Sequence, residues 1–148
     1  MEANHDNPYR APDAELLAGE NLVVGALYRM SAVGIATFFG TPLAGAFIIA
    51  HNLRAFGRGE QVRSAWGMGL GIFVAFMLVG YWLPEGAGGV GMTVAQVFTM
   101  HYYAKNLFGD AVAGHGGPFL SNWRAFGISL LFLVAVIVVL IPIGLLLV

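Results

Sequence analysis

Beyond the first twenty residues, the side chains best suited to chemistry are His51, His101 and His115, with Asp110 close to the last. Such a set could hold a metal ion or relay protons. Metal-ligating histidines usually stand one helical turn apart, as at i and i+4. Here successive histidines are 50 and 14 residues apart, so interfacial or solvated histidines are expected, and no metal or cofactor. The chain has no cysteine, which removes thiolate ligands and disulfides. The run Gly114-His115-Gly116-Gly117-Pro118 lacks the Gly-Lys-Ser/Thr ending of a phosphate loop and reads as a linker. No nucleophile with a base and an orienting group can be named. A lipid-modifying enzyme using His115 and Asp110 is the weakest of the function classes weighed, and the expectation is that the chain is not an enzyme.

The remaining polar atoms lie inside apolar runs. Gln96 and Thr99, with Thr37 and Thr41, could line a path for a small neutral solute. No carboxylate lies inside any of these runs. Ion- or proton-coupled transport usually needs one there, so coupled transport is disfavoured.

The elements that must position these residues are membrane helices. Of the 148 residues, 58% are hydrophobic and 10% charged, against about 25% charged in a soluble domain. Net charge is −1, and no basic stripe points to nucleic acid. Residues 1–20 are polar and acidic, with two prolines and no periodicity. They read as a disordered tail rather than a signal peptide. Residues 21–148 form one transmembrane helical domain.

Four spans are expected, at about 30–50, 64–83, 88–106 and 125–148. The third is the weakest, with Thr93, Gln96, Thr99, His101 and Lys105 interspersed. The first carries small residues every fourth position: Ala36, Gly40 and Ala44, and beside them Thr37, Thr41 and Gly45. Such ridges let helix backbones approach closely in lipid. Pro42 removes one backbone donor and crowds the carbonyl of Phe38, which predicts a kink or hinge. Gly67, Gly71 and Ala75 form a similar ridge in the second span and are expected to pack onto Gly40.

Four crossings put Arg54, Arg58, Arg63, Lys105 and Arg124 inside, with Arg10 and Arg29 outside. Three crossings would give three against four. The positive-inside rule favours the first arrangement, with both termini outside. A faint repeat joins Asn52-Leu53-Arg54-Ala55-Phe56-Gly57 to Asn122-Trp123-Arg124-Ala125-Phe126-Gly127. Arginine at a membrane boundary can reach lipid phosphates while phenylalanine dips inward, one local reason for the likeness.

Thr37-Phe38-Phe39-Gly40-Thr41-Pro42-Leu43-Ala44-Gly45 is followed by Asn52 and Gly57. Much later come His115, Gly117, Phe119, Ser121, Asn122, Trp123, Ala125 and Ile128. This pattern resembles a family of small bacterial inner-membrane proteins with a "TFxGxPLAG" first span and a "GGxFxSNWxAxGI" approach to the last. The resemblance implies an integral protein of the bacterial inner membrane with about four helices. It carries no activity with it, and it draws attention to the Gly40 to Gly45 and His115 to Arg124 stretches; Asn52, Arg54, His115, Asn122 and Arg124 are candidate motif residues.

The sequence reading is an all-α membrane protein whose first two spans form a close hairpin. Its expected surroundings are the bilayer and a homo-oligomer or larger membrane complex. It is expected to act as a non-enzymatic accessory, regulatory or assembly subunit through helix packing. The alternative is an oligomeric channel or carrier for a small neutral solute.

Overall fold

The fold turns on Gly40-Thr41-Pro42. Glycine commonly ends a helix, and threonine followed by proline commonly starts one. In the structure, a computed structural model describing residues 25–84 and 88–147, both signals operate. The expected tail, 1–20, lies outside the described residues. Helix α1 (Met30–Phe39) stops at Gly40, and α2 (Pro42–Ala55) starts with Pro42 in its first turn and extended Thr41 ahead of it. The single kinked helix expected over 30–50 is therefore two helices.

They fold back on one another. Thr37 of α1 lies against Gly45 of α2, and Tyr28, just before α1, bonds to Asn52 near the end of α2. Proline has no N–H to continue a helix but fits its first position without loss. These signals let one helix end here and another begin. At roughly 1.5 Å per residue the two arms are about 15 and 21 Å long. Neither crosses a hydrocarbon layer about 30 Å thick.

Three longer helices surround the hairpin. A 3-10 turn, Gly59–Gln61, leads into α3 (Val62–Trp82), which runs back along α2 with Trp66 6.5 Å from the Phe47 ring. Helix α4 (Gly89–Phe108) returns along α1. Helix α5 (Asn122–Leu147) starts beside Ser31 and runs along α1, its Phe126 ring 5.1 Å from that of Phe39. Small residues bring the backbones close: Gly45 meets Thr37 across the hairpin, Gly40 sits against Ala44, and Ala46 faces α3.

The expected ridge contact is corrected. Gly67, Gly71 and Ala75 are exposed, and nothing lies within 4 Å of a Cβ built on Gly67 or Gly71. Helix α3 turns Val62, Ala65, Gly69 and Ile72 inward instead. A Cβ on Gly69 would lie 2.6 Å from Ala46 Cβ and 2.9 Å from the Pro42 carbonyl. Two residues amount to about 200° around a helix, so Gly67 and Gly69 cannot face the same partner. Burying Ile72 and Val62 selects the Gly69 face.

At one end, the base, the chain is tied together. Strand β1 (Leu27–Tyr28) pairs in parallel with β2 (Phe119–Leu120), Leu27 opposite Phe119. Asn52 closes the other edge of β1. Its side-chain amide accepts from the Tyr28 N–H and donates to the Tyr28 carbonyl, each at 2.8 Å. Asn52 is fully buried and does the work of a third strand. Arg58 donates to the Leu107 carbonyl at 2.9 Å, capping the last turn of α4, where a cation suits the helix dipole.

These ties collect Arg29, Arg54, Arg58, Arg63, Lys105 and Arg124 at the base, every Lys and Arg among the described residues. Residue 25 is also at the base. Helix α5 leads away from it for about 39 Å, so the described chain begins and ends at opposite ends of the molecule. With residues 30–50 folded back as a hairpin, neither arm has the length expected of the first span.

Gly59–Trp82 and Asn122–Leu146 are long and apolar enough to cross a membrane. Only 17% and 6% of their most apolar stretches are buried, unlike the core helices of a soluble protein. The mostly helical class expected from the sequence is what is found. Helix α4 occupies the expected third span, but its polar residues keep it below the same apolarity.

Candidate site at the hairpin tip

The tip is fixed by contacts no larger residue could make. A Cβ on Gly40 would lie 2.7 Å from the Ala36 carbonyl, 2.8 Å from Ala44 Cβ and 2.8 Å from the Ser129 carbonyl of α5. Gly45 meets Thr37 and, at 3.2 Å, Met100 Cε of α4. Thr37 is 2% exposed, and its hydroxyl donates to the Val33 carbonyl at 2.8 Å. It serves its own helix and not the carbonyl beside Pro42. The Thr41 Oγ1 is buried and has no hydrogen-bond partner among the described residues.

A cavity of about 230 Å³ lies over this tip, walled by α3 and α4 where they extend past the hairpin. Its polar lining is Thr37, Thr41, Thr93 and Gln96; Phe73, Phe76 and Met77 supply the apolar wall. The arrangement can exchange hydrogen bonds with a small neutral molecule. Among the described residues no titratable side chain lines it, so these supply neither a general base nor a counter-ion.

Thr99 does not join this group. It is exposed, and its hydroxyl donates to the Ala95 carbonyl of its own helix at 2.8 Å. Thr93 takes the place expected of it. Both stand three residues from Gln96, so spacing alone admits either. The height of the tip decides, because Gly34 and Gly45 lower in the hairpin already face Val97 and Met100. Gly69, Phe73 and Arg58 were also missed. An Ala65-Gly69-Phe73 ridge at i+4 was as legible as the one chosen.

The other candidates stay apart. Pro42, Ala36 and Ala44 are buried in the hairpin. Arg54 is exposed at the end of α2 and shares a shallow pocket with Gly25, Ala26 and His51. His51 Nε2 is 3.1 Å from the Ala26 carbonyl, and its ring meets Tyr28 edge-on at 5.0 Å. His115 packs edge-on against Phe119 at 5.5 Å, with its Nε2 unpartnered. Asn122 Nδ2 is 3.5 Å from Ser31 Oγ, and Arg124 is exposed beside it. Among the described residues no three His, Asp or Glu side chains come together as a metal site. The repeat places both of its asparagines at the base, one clamping a strand and the other opening a helix.

No protein-family model, curated protein or solved structure matches this chain.

Proposed function

We propose that this chain is a multi-pass membrane protein that acts as a non-enzymatic accessory or assembly subunit through helix association. Helices α3, α4 and α5 cross the bilayer, and the α1–α2 hairpin enters from the base and returns to it. The observation that carries association is on α3. Gly67, Gly71 and Ala75 line an exposed face, while the same helix uses Gly69 for its contact with α2. Glycine in a helix interior costs roughly 1 kcal/mol relative to alanine and offers lipid almost no side-chain surface. Two glycines one turn apart on a lipid-facing stripe suit a partner helix that needs close approach.

The bilayer placement is supported by the exposed apolar surface of α3 and α5 and by the gathering of cations at the base. The base is then the cytoplasmic side of a bacterial inner membrane, by the positive-inside rule. The test is Gly67→Leu with Gly71→Leu in the full-length chain. Monomer secondary structure is expected to be retained, while cross-linked or native-gel assemblies from detergent are lost. Unchanged assembly would refute the reading.

A further inference from the structure

We infer that the cavity over the hairpin tip is a water-accessible binding site for a small, uncharged, hydroxyl- or amide-bearing solute. Non-helical backbone at membrane depth is tolerated only where it is buried in protein or lines an aqueous cavity. The turn at Gly40-Thr41 is buried on one side by Ser129 of α5 and faces the cavity on the other. Thr41 borders that cavity, and its buried hydroxyl has no partner among the described residues. A buried hydroxyl without a partner costs about 1–3 kcal/mol. Thr93 and Gln96 border the same space from the facing helix. Polar side chains from α1, the Gly40-Thr41 turn and α4 thus line an otherwise apolar wall, with Thr93 and Gln96 facing the turn.

Size and charge narrow the occupant. At about 30 Å³ per water-sized group, the volume suits a molecule of roughly seven non-hydrogen atoms. An ion would find no counter-charge among the described lining residues to offset its desolvation. A hydrocarbon chain would offer no partner to the Thr93 hydroxyl or the Gln96 amide. Thr93 and Gln96 lie toward the start of α4, away from the base, so the solute enters from the side opposite the cations.

This inference rests on the tip lying within the bilayer, which a separate thiol in the same experiment tests. The chain has no cysteine, so Thr41→Cys and Thr93→Cys each place a single thiol in the cavity. Leu43→Cys, which lines the apolar groove beside Val136 and Leu140, is the matched control. Gly59→Cys in the basal turn reports sidedness with a membrane-impermeant reagent. The full-length variants in liposomes are treated with methyl methanethiosulfonate, which is small and uncharged.

The thiolate is the nucleophile and forms where water reaches, so both cavity thiols are expected to react at least about tenfold faster than Leu43→Cys. Glycerol, as hydroxylic probe, is expected to slow Thr41→Cys and leave Gly59→Cys unchanged. Equal rates at residues 41 and 43 would mean a lipid-filled groove and overturn the site. Fast labelling indifferent to glycerol would mean water without a solute site and overturn the occupant. If Thr41→Cys fails to fold, Thr93→Cys gives the same comparison. A basal thiol reachable from both sides would fault the bilayer placement without touching the cavity result.

Discussion

Asn52 is buried completely, yet it is polar, and the physics of that burial explains its use. A side-chain amide presents a donor and an acceptor at the spacing of a peptide group, so it can pair both backbone groups of Tyr28. Replacing it with leucine leaves two backbone groups unpaired out of water. Asn52→Leu is expected to destabilise the fold by roughly 2–4 kcal/mol, read as a lower midpoint in detergent unfolding. A midpoint within error of the parent would mean that β1 is held by β2 alone. Gln96 and Thr99 make a second contrast. Gln96→Leu removes an amide from the cavity wall and is expected to slow thiosulfonate labelling of Thr41→Cys. Thr99→Val, outside the cavity, is expected to leave it unchanged. Equal effects would return Thr99 to the path.

Among the elements, α3 carries two small-residue faces with different duties. Gly69 touches the Ala46 Cβ and the Pro42 carbonyl, so Gly69→Leu must push α2 and α3 apart. Overpacking of this kind costs about 1–3 kcal/mol, and the variant is expected to unfold earlier in denaturant. Gly71→Leu, with open space around it, is expected to keep monomer stability within roughly 0.5 kcal/mol while weakening assembly. A reversal of these two results would interchange the faces. The hairpin owes its shape to the same economy. Alanine and glycine along the α1–α2 seam gain dispersion contact between backbones, which replaces the hydrophobic drive that lipid does not supply.

For the whole molecule, the tied base and the far ends of α3 and α5 differ in charge. Every described cation sits where β1, β2 and the basal turn meet, and the far ends carry none. In oriented membrane vesicles, Gly59→Cys and Ser121→Cys are expected to label from the same side, and Pro84→Cys from the other. Labelling of residues 59 and 84 from one side would mean that α3 does not cross. The expected four-crossing scheme divided the cations five against two because it counted 30–50 as a crossing. With the hairpin folded back, the described basic residues all lie at one end.

The sequence by itself determined the helical class, the apolar surface, the polar start of the chain and the ends of the longer helices. These depend on composition and local periodicity, which each segment carries alone. Phe39-Gly40-Thr41-Pro42 also marked a change in the first helix. A proline inside a kinked helix and a proline opening a new one share the same local letters, however. Only the packing of α4 and α5 against α1, and of α3 against α2, chose reversal. The same holds for Gly67 against Gly69 and for Thr99 against Thr93. Periodicity defines the faces of a helix, but which face is buried depends on where its neighbours stand. The hydrogen-bonded role of Asn52 and the convergence of Thr37, Thr41, Thr93 and Gln96 join residues that are far apart along the chain. Those positions meet only after the hairpin has closed, so tertiary structure alone could assemble them.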